Sequence, residues 1–160
     1  MSLVRANASN RSLIIRNRQR LHAVDRRLLA RLTQTLLRDL LKRESFDLAI
    51  YLVGAAEITR LNEEFLRHRG STDVITFDYC DPADLTSLSG EIFVCLDEAI
   101  RQARRFRTSW QSELVRYVVH GILHLCGYDD QEPLARRRMK RTEDRLVKQL
   151  ATRFEFQRLG

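Results

Sequence analysis

The run His120-Gly-Ile-Leu-His124-Leu-Cys-Gly127-Tyr-Asp-Asp130 constrains this chain more than any other stretch. It places two histidines four residues apart in a segment whose Leu114, Val115, Val118, Val119, Ile122, Leu123 and Leu125 cover nearly every side of a helix. A helix without a polar face has to be buried, so the other elements must enclose it. Positions four apart lie about 40° apart around the axis, one turn above the other. Two imidazoles so placed can grip one cation. Gly127 suits the left-handed conformation that reverses a chain at a helix end. Asp130 is then free to return over the same stripe as a third ligand. Three protein ligands with an open fourth position describe a catalytic zinc site rather than a closed structural one. The competing reading is a pair of core histidines with hydrogen-bond partners and no ion.

The offsets of His120, His124, Gly127 and Asp130 match the zinc-protease pattern H-E-x-x-H-x-x-G-x-x-H, with Asp in the last ligand place. Gly121 stands where that pattern carries its general-base Glu, so a peptidase of this kind would lack its proton acceptor. The 28 Lys+Arg against 21 Asp+Glu give a net charge of +7, which favours an anionic partner, nucleic acid being the commonest. A solvated, arginine-rich surface is the plainer alternative. Cys80, Cys95 and Cys126 are scattered and form no C-x-x-C pair, as expected of reduced thiols in a cytoplasmic protein. Cys126, two residues past His124, should point away from the metal stripe. Met1 to Asn10 lacks the apolar centre of a signal peptide and reads as frayed, and no apolar run is long enough to span a bilayer.

The periodicities predict a strand at Ser12–Ile15, a helix from near Asp25 to about Arg43, a central strand at Phe46–Val53 and a helix at Ala55–Arg67 with Ile58, Leu61 and Phe65 facing in. A third strand follows at Asp73–Phe77, then a polar loop over Asp78–Ser89. A fourth strand at Gly90–Leu96 makes a hairpin-like pair with the third. Asp97 reads as the N-cap of a helix to about Arg107, and Ser109 or Ser112 as the cap of the histidine helix. The last helix spans Glu132 to about Leu150, with Pro133 in its first turn and Leu134, Met139, Leu146, Val147 and Leu150 inward. Beyond it lies a basic tail with no marked feature. These elements predict one 1–160 domain of α/β (α+β) class: a small mixed four-stranded sheet, packed helices and a central buried helix bearing the two histidines.

The string HGILHLCGYDD resembles H-G-x-L-H-L-x-G-Y-D-H, the signature of the YbeY-like endoribonucleases, also called rRNA maturation factors. Leu61-Asn62, Ser71-Thr72-Asp73-Val74-Ile75-Thr76-Phe77 and Ser89-Gly90-Glu91-Ile92 are similar to that family's L-N, P-T-D-V-L-S-F and L-G-D-I segments, in the same order. The resemblance implies zinc-dependent, single-strand-specific cleavage of RNA, 16S rRNA 3′-end maturation and ribosome quality control. It also implies small-subunit components as partners, with no DNA and no membrane. It assigns the metal to His120, His124 and Asp130, the last standing where the family has a third histidine. A carboxylate there removes positive charge from the site and admits Mn2+ or Mg2+ more readily beside Zn2+. The family's catalytic arginine after L-N aligns with Leu66, and Arg67, followed by His68 and Arg69, is the candidate to replace it in neutralising charge on the transition state. Asp73 and Asp129 are the candidates for a proton acceptor; Asp129 could instead orient a histidine. A non-catalytic, metal-stabilised rRNA or ribosome assembly factor is the alternative function.

Overall fold

The computed structural model describes residues 10–84 and 86–160; the reading of residues 1–10 as frayed lies outside them except at Asn10, which is tied down instead, its carbonyl accepting from Phe46 N–H at 2.7 Å beside the start of β2. The order is β1 (Arg11–Asn17), α1 (Arg26–Thr35), β2 (Ser45–Val53), α2 (Ala55–Phe65), β3 (Val74–Asp78), β4 (Ser87–Cys95), α3 (Leu96–Phe106), α4 (Trp110–Leu125) and α5 (Pro133–Arg153). The sheet runs β1-β2-β4-β3. β1, β2 and β4 are parallel, and β3 is antiparallel to β4 with Val74 opposite Val94. The expected small mixed sheet is therefore present, with its apolar central strands β2 and β4 flanked on both sides.

Alternation along the strands divides the core. Phe46, Leu48, Ile50 and Leu52 of β2, with Leu88, Ile92 and Val94 of β4, face the large cluster built from α1, α4 and α5. Val53, Ile75, Phe93 and Cys95 face the other way, against Ile58 of α2. α4 lies over the first face, with Leu114, Val118, Val119, Ile122 and Leu123 fully buried. Gly121 is what lets it sit there. A Cβ at that position would meet Ile92 Cγ2 at 2.7 Å and Val74 Cγ1 at 3.3 Å. The position that carries a general base in zinc proteases is here the contact between helix and sheet. Gly121→Ala should destabilise the chain by about 1–3 kcal/mol through overpacking, read as a lower urea midpoint at unchanged slope.

Several boundaries differ from the sequence reading, each for a local reason. α1 widens into a π turn over Leu36–Leu40, closed by Leu41 N–H donating to the Leu36 carbonyl at 2.9 Å. Asp25 is its N-cap, accepting from Leu28 N–H. α2 stops at Phe65, since Arg67 is left-handed (φ 55°), and Phe65 lies exposed with its ring edge against Phe77. β4 begins at Ser87, so the loop expected through Ser89 is shorter. Asp97 does not cap its own helix. Cys95 holds that place without a side-chain bond, and Asp97 Oδ2 accepts from Ala55 N–H at the start of α2. Ser109 caps α4 through Ser112 N–H. Leu134 is exposed, because the inner stripe of α5 through Leu150, Leu146, Glu143 and Met139 runs back to Ala135 instead. The tail is not featureless: it forms a 3-10 turn over Phe156–Leu159 that buries both end residues, and the Leu159 carbonyl accepts from Asp25 N–H.

Candidate metal centre

The C-terminal end of α4 sets the geometry. Gly127 is left-handed (φ 96°), its N–H bonds the His124 carbonyl at 3.0 Å, and Tyr128 N–H bonds the Leu123 carbonyl at 3.0 Å. That paired closure is a Schellman turn, which glycine permits at no steric cost. It swings the chain back so that Asp130 Oδ2 lies 3.5 Å from His120 Nε2 and 3.6 Å from His124 Nε2. The two Nε2 atoms are 3.0 Å apart. Ligand atoms at zinc distances around a tetrahedral ion lie about 3.3–3.6 Å from one another. His120, His124 and Asp130 thus form a group able to hold a metal ion, as their spacing predicts.

The partners of the outer ring nitrogens fix which atoms would face an ion. His124 Nδ1 lies 3.2 Å from the Tyr128 carbonyl, which only accepts, so Nδ1 carries the proton. His120 Nδ1 lies 2.8 Å from Glu143 Oε1. Burial pushes the Glu143 carboxyl up, but its hydrogen bonds to His120 and Arg116 outweigh that and hold it at about 2. It is therefore ionised and also only accepts. With both rings neutral, each would aim an Nε2 lone pair at the other across 3.0 Å. Two lone pairs repel at that distance unless a proton or a cation lies between them. Burial would lower the His120 pKa, yet the Glu143 hydrogen bond and charge overcome it, so the ring holds a proton more tightly than free histidine.

Glu143 is the residue that sequence reasoning missed. It lies on α5, 5% exposed, and also pairs with Arg116 at 2.7 Å and Lys140 at 3.3 Å. The signal was present: a lone carboxylate on the apolar stripe between Met139 and Leu146. The orienting role considered for Asp129 belongs to Glu143 and the Tyr128 carbonyl; Asp129 Oδ1 accepts from Gln131 N–H and closes the turn.

A cavity of about 380 Å³ opens over the cluster, and its walls include Asp73, Tyr117, His120, Asp130, Arg136, Lys140 and Glu143. Asp73, one residue before β3 rather than its first residue, accepts from Val74 N–H and from the Thr72 hydroxyl. Burial, reinforced by Asp73 and neighbouring glutamates, pushes the Tyr117 hydroxyl pKa up, which keeps it protonated and unsuited to accept a proton. Arg67 is not among the described residues lining this cavity; it is exposed in the loop after α2. Arg136, which donates to the Asp130 carbonyl at 3.0 Å, and Lys140 bring positive charge there instead. Cys126 caps α4 and takes no part in the ligand group.

A buried helix presenting two imidazoles and a returning carboxylate to an open cavity defines an α/β protein with a three-residue group able to hold a metal ion. The family model for endoribonuclease YbeY matches residues 14–151, and the chain belongs to that family. It is 40% identical over 108 residues to the endoribonuclease YbeY of Chlorobium luteolum, spanning 68% of this chain and 77% of that one. The Chlorobium phaeovibrioides protein of the same name is 43% identical over 107 residues, spanning 67% and 69%. The solution structure of TM1509 from Thermotoga maritima superposes with a TM-score of 0.62 at 29% identity, covering 86% of this chain and 88% of that one. Among the described residues no helix is long and apolar enough to cross a membrane.

Proposed function

We propose that this chain is a zinc-dependent, single-strand-specific endoribonuclease of the cytoplasm. It acts as one 1–160 domain in 16S rRNA 3′-end maturation and ribosome quality control, beside small-subunit components. Membership of the YbeY family supports RNA cleavage. The observation that carries a metal-dependent mechanism is the pair of opposed Nε2 atoms, each fixed by an acceptor behind its ring. Two imidazoles with one carboxylate suit zinc, and the carboxylate widens the choice toward manganese. When bound, the ion supplies Lewis acidity to a phosphoryl oxygen and lowers the pKa of a water.

The chain's own residues do the rest. His120, His124 and Asp130 hold the ion. Asp73, on the cavity wall, accepts the proton released by the attacking water. Arg136 and Lys140 draw the phosphate in and offset the charge that builds on it.

Elemental analysis beside cleavage of a single-stranded RNA tests this. We expect about one zinc per chain, cleavage abolished by a chelator and restored by zinc, and metal and activity both lost in Asp130→Ala. A large metal-dependent rise in Tm with no cleavage would return the site to a structural, assembly-factor role.

A further inference from the structure

Phe106 is the last residue of α3. It continues the helical stripe of Leu96, Ala99 and Ala103, all buried, yet it is itself 61% exposed. The stripe runs off the core at that point. Its last side chain lies on the wall of the cavity that contains His120 and Asp130. Arg107, left-handed at φ 53°, ends the helix there, and Thr108 N–H returns to the Ala103 carbonyl at 2.9 Å. The Arg105 guanidinium lies over one face of the ring, 5.3 Å from its centroid. Tyr117, the other aromatic residue on that wall, is buried and its hydroxyl donates to the Glu98 carbonyl. A flat, exposed ring with a cation beside it, at the mouth of a metal site, has the composition of a nucleobase-stacking platform.

We propose that Phe106 is a stacking subsite for an unpaired nucleobase next to the scissile phosphate. This rests on the reading of the site as a ribonuclease. The ring takes one face of the base and Arg105 the adjoining backbone phosphate. A base within a duplex is already stacked on both faces and has none to offer, so the subsite itself favours single strands. Recognition through a π-face is sequence-tolerant, because every base has one.

The test uses the zinc-loaded full chain and a fluorescein-labelled single-stranded RNA decamer, with versions made abasic at one position at a time. Phe106→Ala should raise KM about tenfold or more, in line with stacking losses on alanine substitution, with a smaller change in kcat. Phe106→Leu, which keeps apolar bulk without a flat π-face, should behave like the alanine variant at unchanged Tm. Phe106→Trp should restore KM. One abasic position should cost the parent the same loss and cost Phe106→Ala nothing further. The proposal is overturned if Phe106→Ala and Phe106→Leu keep the parent's KM on an RNA that the parent cleaves, or if the abasic and Phe106→Ala losses simply add at every position. A parent that cleaves no RNA would instead overturn the nuclease reading, and this subsite with it.

Discussion

Replacing His124 with alanine is expected to empty the metal site and lower RNA cleavage by about a thousandfold or more, the loss that several kcal/mol of Lewis-acid stabilisation represents. His124 supplies one of three ligand atoms, and apart from His120 no histidine or cysteine among the described residues joins it in the ligand group. Two remaining ligands, His120 and Asp130, do not complete a zinc site. The fold should survive without metal. His124 is only partly buried, and besides facing His120 its ring makes one hydrogen bond, to the Tyr128 carbonyl. Apo Tm should therefore move little, by the equivalent of about 1 kcal/mol. The gain in Tm on adding zinc, about 2.7 kcal/mol for the parent at a hundredfold excess over Kd, should vanish. Differential scanning calorimetry with and without zinc, beside a single-turnover assay, reads both effects. Residual zinc at the parent's level would show that the two imidazoles do not share an ion.

Glu143→Ala should destabilise the fold by about 1.5–3 kcal/mol, the worth of a charge-assisted hydrogen bond, because Arg116 keeps its pair with Asp144 at 2.6 Å. The carboxylate is buried against His120, Arg116 and Lys140, and its removal leaves the partly buried Arg116 without its closest buried partner. It also frees the His120 ring to change tautomer, so zinc affinity should fall about 10- to 100-fold. Glu143→Gln separates the two effects. Its amide oxygen can still accept from Nδ1, so affinity should fall less while the charge pairing is lost.

The same carboxylate gives a pH signature. Its pKa is lowered from an ordinary 4.5 to about 2 in the folded chain. Its stabilisation is therefore present above the ordinary value and is lost as pH falls through about 2, and the side chain is almost fully shielded from solvent. The shift corresponds to about 3 kcal/mol. The parent's urea midpoint should drop between pH 5 and 2, and the drop should shrink in Glu143→Gln. An unchanged pH profile in that variant would mean the carboxylate contributes nothing through its charge. At the other end of the scale, zinc must displace the proton that Glu143 helps His120 retain, so zinc affinity should weaken as pH falls below neutrality.

The amino-acid order alone determined whatever depends on short range. The histidine pair, the glycine closure and Asp130 lie within one turn and its exit, so helical spacing and the freedom of glycine at positive φ were enough to bring them together. The sheet was legible for a similar reason, since four runs of β-branched and apolar residues alternate with helical ones. Tertiary structure alone decided which distant groups complete the site. Glu143 reaches His120 from 23 residues away, Asp73 and Phe106 join the cavity from other elements, and Asp97 caps a helix that begins 42 residues earlier. It also decided that Gly121 is a point of contact between helix and sheet. A buried polar group takes whichever partner the packing places beside it, and periodicity along one helix says nothing about the helix that lies across it.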